Sequence, residues 1–97
     1  MRWPFRRRFP FRDAPNTMSI ACCHVLDGAP ILRVTHDAED GMWQFLCGSE
    51  HDASQARVIA LQEAYALDAS IGELAGMPCG CIAVRGNRKA KWQISQA

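Results

Sequence analysis

The sequence predicts an α+β fold: a small, mostly antiparallel β-sheet with one or two short helices. Three observations carry this expectation. Between Ala21 and Gly48, short apolar runs are cut by two turn signals, Asp27-Gly28-Ala29-Pro30 and Asp37-Ala38-Glu39-Asp40-Gly41. Ser70-Ile71-Gly72-Glu73 has the spacing of a helix capping box, and Gly76 and Pro78 stop whatever it starts. Two more apolar runs, Cys81 to Arg85 and Trp92 to Ser95, flank a Gly86-Asn87 turn near the end of the chain.

Taken in order, Met1 to Thr17 cannot form a regular helix, because Pro4, Pro10 and Pro15 each lack a donor and disfavour helix in the residue before them. The segment reads as a flexible basic and aromatic tail over 1–17, set apart from a single domain over 18–97. Met18 opens the patterned region, so the tail can be read as an upstream extension that translation does not always include. Ser19 to Leu26 reads as the first strand. Ile31 to His36 is the second, with Ile31, Arg33 and Thr35 on one face and Leu32, Val34 and His36 on the other. A five-residue acidic loop ending in Gly41 makes a hairpin into the third strand, Met42 to Cys47, which puts Trp43 and Phe45 on a core face. Ala56 to Leu67 is ambiguous. RVIAL favours a strand while LQEAYAL would suit a helix, and the favoured reading is a strand near Val58 to Leu61 followed by a connection. The Ser70 box then starts a short helix, and strands at 81–85 and 92–95 complete the sheet.

Ninety-seven residues at 48% hydrophobic content suit one small core. The net charge of +1 hides an asymmetry. Residues 1–17 set five arginines against Asp13, whereas the remainder carries six basic side chains against nine acidic ones. No apolar run reaches the roughly 20 residues of a membrane span. The N-terminus has prolines and arginines where a secretory signal needs an apolar stretch. An odd count of five cysteines without such a signal implies reduced thiols and a cytoplasmic protein.

Cys22-Cys23-His24-Val25, Gly28, Pro30, His36-Asp37 and above all Gly41-Met42-Trp43-Gln44-Phe45-Leu46-Cys47-Gly48 resemble the immunity protein 33 type family, a bacterial domain of unknown function. The family's later Leu-Pro-x-Gly-x-x-Ala-x-Arg stretch is similar to Met77-Pro78-Cys79-Gly80-Cys81-Ile82-Ala83-Val84-Arg85, followed by Trp92. Met77 stands here for the usual Leu, and Val84 stands where an aromatic is common. The resemblance spans roughly residues 19–94. It implies a small bacterial protein that binds another protein, with some family members lying beside toxins, and it implies no catalytic residues.

Several constellations carry chemistry in principle. Cys22-x-His24 and Cys47-x-x-x-His51 together offer two thiols and two imidazoles, the donor types of a zinc site. The spacing matches no standard finger, however, and free cysteines commonly pack as small apolar groups. Structural thiols without a cofactor are therefore the favoured reading, with zinc as the alternative. Cys79-Gly80-Cys81 has one intervening residue too few for a redox Cys-x-x-Cys pair. A Cys/His nucleophile pair among Cys22, Cys47, His24, His36 and His51 would need a base within reach and an oxyanion pocket, neither of which a sequence displays. No catalytic motif is present, so an enzyme is not expected.

Arg2, Arg6, Arg7 and Arg8, interleaved with Trp3, Phe5, Phe9 and Phe11, could neutralise phosphates while rings stack on bases. The acidic domain itself is a poor nucleic-acid ligand. Asp37, Glu39 and Asp40, with Glu50 and Asp52, offer a negative surface to a basic partner, although a solvated turn is the favoured reading. Trp92 covers an edge, and would anchor an interface if exposed. An open edge near Trp92 also allows a homodimer. The leading expectation is a non-enzymatic, immunity-like protein-binding domain. The alternative is a zinc-stabilised domain that holds nucleic acid or phosphate through its tail.

Overall fold

A computed structural model describes residues 9–49 and 53–97. The chain folds as α+β around one six-stranded sheet. Its strands are β1 (Met18–Cys22), β2 (Arg33–His36), β3 (Trp43–Leu46), β4 (Ala56–Ala60), β5 (Cys81–Val84) and β6 (Gln93–Gln96). They lie side by side in the order β4-β1-β3-β2-β5-β6. Every pairing is antiparallel except β1 with β3, where Ile20 sits opposite Gln44 and Ala21 opposite Phe45.

The register explains the core. Val34 pairs with both Phe45 and Ala83, and Ala21 pairs with Phe45, so strand alternation brings these side chains to one face. All four are fully buried. The helices α1 (Cys23–Leu26) and α2 (Leu61–Leu67) and a 3₁₀ helix over Ala69–Leu74 contribute Val25, Leu61, Ala64, Ile71 and Leu74 to the same cluster. The opposite face carries Ile20, Arg33, Thr35, Gln44, Leu46, Val58, Ile82 and Val84, all half-buried or exposed.

Four expectations need correction. The first strand stops at Cys22, and residues 23–26 form a single helical turn. Gly28 takes φ +110°, which lets its amide reach the Val25 carbonyl at 3.1 Å and the Ala29 amide reach the His24 carbonyl at 2.9 Å. This is a Schellman cap, and glycine is the residue that enters it without strain. The Asp27-Gly28 signal thus ends a helix rather than joining two strands.

Second, the strand near Val58 is followed by a helix and not by a connection: β4 ends at Ala60, and Leu61–Leu67 forms α2 because Leu61 and Ala64, three residues apart, bury one helical face. Third, Ser70 does not cap the helix that follows. Asp68 does, accepting from the Ser70 amide at 2.9 Å and the Ser70 hydroxyl at 2.6 Å.

Fourth, residues 9–17 belong to the folded unit and are not a tail apart from it. Phe11 is buried, its ring meeting Trp43 edge-on at 5.1 Å between centroids. Asp13 accepts from the Trp43 indole at 3.4 Å. The Pro15 and Thr17 carbonyls accept the Gln62 and Leu61 amides, at 2.9 and 2.7 Å, satisfying first-turn donors of α2 that the helix itself leaves open. Pro10 and Pro15 keep this stretch from being helical, but it packs through bends and a turn closed by the Thr17 amide on the Ala14 carbonyl at 2.9 Å. Arg2, Arg6, Arg7 and Arg8 lie outside the described residues, as do Glu50, His51 and Asp52.

Among the described residues no helix is long and apolar enough to cross a membrane.

Candidate functional site

Cys22, His24 and Cys47 converge where β1 ends and where the chain leaves β3. Sequence spacing alone would put Cys22 and His24 on one strand face. Instead Cys22 is the last residue of β1 and His24 lies within the helical turn that follows, held by the Gly28 cap. Because β1 and β3 run parallel, their C-terminal ends sit together, and Cys47 follows β3 directly. The result is a group of three donor atoms, all within 4.8 Å of one another. Cys22 is buried, Cys47 is half-buried and His24 is exposed, so the group opens to solvent on one side.

The Cys47 Sγ lies 3.7 Å from His24 Nδ1. Zinc bond lengths of about 2.3 Å to sulfur and 2.05 Å to nitrogen put two tetrahedral ligands about 3.6 Å apart, so this edge already fits. Two thiols and an imidazole are also the donor set that a borderline-soft divalent ion prefers. The residues present therefore suit a metal ion, with a fourth position left to water or another ligand. His51, expected as the fourth ligand, lies outside the described residues.

The electrostatics favour a thiolate. Burial alone would raise the Cys47 pKa. Hydrogen bonds from the Ser49 backbone, His24, Cys22 and the Ser49 hydroxyl outweigh it and lower the value from an ordinary 9.0 to about 6. A depressed folded-state pKa stabilises the fold fully above the unfolded value. That contribution is lost as pH falls through the folded one, here between about pH 9 and 6. In chelator-treated protein, site-resolved alkylation of Cys47 is expected to have its midpoint near pH 6. His24→Ala should move that midpoint up, since it removes one of the stabilising partners. A midpoint in the ordinary thiol range for the unsubstituted chain would contradict this.

The remaining sequence candidates are placed as follows. Asp37 accepts from the Gln44 side-chain amide at 2.8 Å, and Asp40 accepts from the Met42 amide at 2.9 Å, so both brace the β2–β3 hairpin. Glu39 is exposed. Trp92 is half-buried beneath the Arg85 guanidinium, 4.0 Å from the ring centroid. Arg85 itself escaped the sequence reading. Its guanidinium donates to the Ile31 carbonyl, the Ser70 hydroxyl, the Arg88 carbonyl and, at 2.7 Å, the Asp68 carboxylate. An arginine closing an apolar strand and followed by Gly86 was the available signal.

No protein-family model, curated protein or solved structure matches this chain.

Proposed function

We propose that this chain is a small zinc-holding domain that works by binding a partner protein rather than by turning over a substrate. One observation carries the metal half: Cys22, His24 and Cys47 gather their donor atoms within 4.8 Å although Cys47 lies 23 residues from His24 in sequence. Zinc there would tie the end of β1 and the α1 turn to the end of β3. A small domain gains folding energy directly from such a tie.

The binding half draws support from the sheet's open face. Met18, Val58 and Val84 are 64%, 60% and 42% exposed, and Leu46 and Ile82 lie half-buried between them. A shallow groove of about 320 Å³ runs over Arg33, Thr35, Gln44, Leu46 and Ile82. Apolar side chains ringed by polar ones are how protein-docking surfaces are built. The resemblance of residues 19–94 to immunity domains points the same way and makes a toxin the expected partner class.

Native mass spectrometry of the reduced, untagged chain tests the metal. The expected result is one zinc per chain, removed by a chelator with a fall in Tm of more than ~10 °C, equivalent to a few kcal/mol in a domain of this size. Cys47→Ser should lose the ion. A folded, metal-free species that takes up no added zinc would sink the metal half. The same spectra separate monomer from homodimer.

A further inference from the structure

A second cysteine and histidine meet on the other side of the molecule, away from the metal-holding group. The His36 Nε2 lies 3.6 Å from the Cys79 Sγ, and His36 Nδ1 lies 2.8 Å from the Met77 carbonyl. A carbonyl only accepts, so Nδ1 carries the proton in the neutral ring and Nε2 presents its lone pair to the thiol. The ring is fixed from below by stacking on Trp43, at 3.8 Å and 12°.

The thiol is fixed as well. Met77 is tied to the His36 ring, and the Gly80 amide donates to the His36 carbonyl at 2.6 Å, so Cys79 is held between two bonds to the same residue. Gly80 takes φ +89° to make that turn. Cys79 is exposed, and the pair borders a cavity of about 330 Å³ lined also by Arg12, Asp13 and Trp43. A nucleophile, a base in contact with it and a third group orienting the base make up the arrangement that activates cysteines.

We infer that Cys79 is an activated thiol that exchanges with low-molecular-weight disulfides, His36 acting as its base. Acyl transfer would need donors aimed at a developing oxyanion. Disulfide exchange needs only a thiolate, open access and a proton for the leaving group. The Cys79 Sγ–H gives its proton to His36 Nε2, and the sulfur attacks one sulfur of the disulfide. The S–S bond breaks, a mixed disulfide forms on Cys79, and the departing thiolate takes the proton back from His36. Cys79 is oxidised and the small disulfide is reduced to one thiol and one protein-bound half.

The test is site-resolved peptide mapping of the full chain treated with oxidised glutathione. His36→Gln is expected to slow the labelling of Cys79 roughly ten- to thirtyfold at about pH 7, because it removes the base that accepts the thiol proton. At about pH 10, where an ordinary thiol ionises without help, the two proteins should label equally. An unchanged rate at the lower pH, or an equal drop at both, would overturn the inference. If His36→Gln does not fold, the unsubstituted chain decides. Cys79 must label faster in the native protein than in urea, and an equal or slower native rate overturns the proposal. Mapping each cysteine keeps Cys47 from contributing to the readout.

Discussion

Replacing Arg85 with alanine is expected to cost about 3–5 kcal/mol, the range found when one partner of a buried ion pair is removed. The Arg85 side chain is 1% exposed and Asp68 13%, at 2.7 Å from each other. The substitution leaves the Asp68 carboxylate, the Ile31 carbonyl and the Ser70 hydroxyl without a donor they now use. It also uncovers Trp92. Four segments lose their common tie: the approach to β2, the start of the 3₁₀ helix, the Arg88 turn and the approach to β6. Arg85→Lys should recover only part of the loss, because an ammonium cannot serve these acceptors with a planar fork. Thermal unfolding would read the alanine variant as a fall of roughly 15–30 °C. A shift under about 1 kcal/mol would mean that the cluster is ornamental.

The same cluster governs acid stability. Burial raises the Asp68 pKa, but the Ser70 hydroxyl and amide and the Arg85 charge together hold it below the usual carboxylate value. Its contribution is therefore present above the ordinary aspartate range and lost as pH falls through the depressed value. Arg85→Ala should begin to unfold at a higher pH than the unsubstituted chain.

Much of the sheet was legible because strand alternation is local. Trp43 and Phe45 bracket Gln44, and the buried, half-buried, buried pattern of β3 follows directly. The Asp37–Gly41 loop declared its own hairpin. What escaped was set at longer range. The α1 turn is four residues long, too short for any helical period to register, and its sequence of cysteine, histidine, valine and leucine favours a strand by propensity. Only the Gly28 cap and the burial of Val25 make it helical. The cysteines and histidines were visible as types, but the pairs that matter span 23 residues for His24 with Cys47 and 43 for His36 with Cys79. Spacing rules read neighbours, so they joined Cys22 to His24 through a strand face that does not exist. Arg85 was missed for another reason: a lone arginine is ordinarily solvated, and nothing local says that Asp68 will meet it.

Phe11→Ala is the second large effect, with an expected loss of about 3–5 kcal/mol for emptying a buried aromatic site. Phe11 is 5% exposed and touches Phe9, Trp43 and Tyr65 through ring contacts at 5.5, 5.1 and 6.5 Å. The cavity would open against Trp43, the largest fully buried side chain, so tryptophan fluorescence should shift to the red along with the drop in denaturant midpoint. A chain begun at Met18 should fare worse than the point variant. It loses Phe9 and Phe11, the Asp13 acceptor of the Trp43 indole, and the Pro15 and Thr17 carbonyls that cap α2. Each uncapped amide left dry adds its own penalty to the cavity. The Phe11→Ala midpoint, compared with that of the Met18 chain, separates the packing contribution from the capping one. Equal stability of the Met18 chain and the full chain would return residues 9–17 to the status of a dispensable tail.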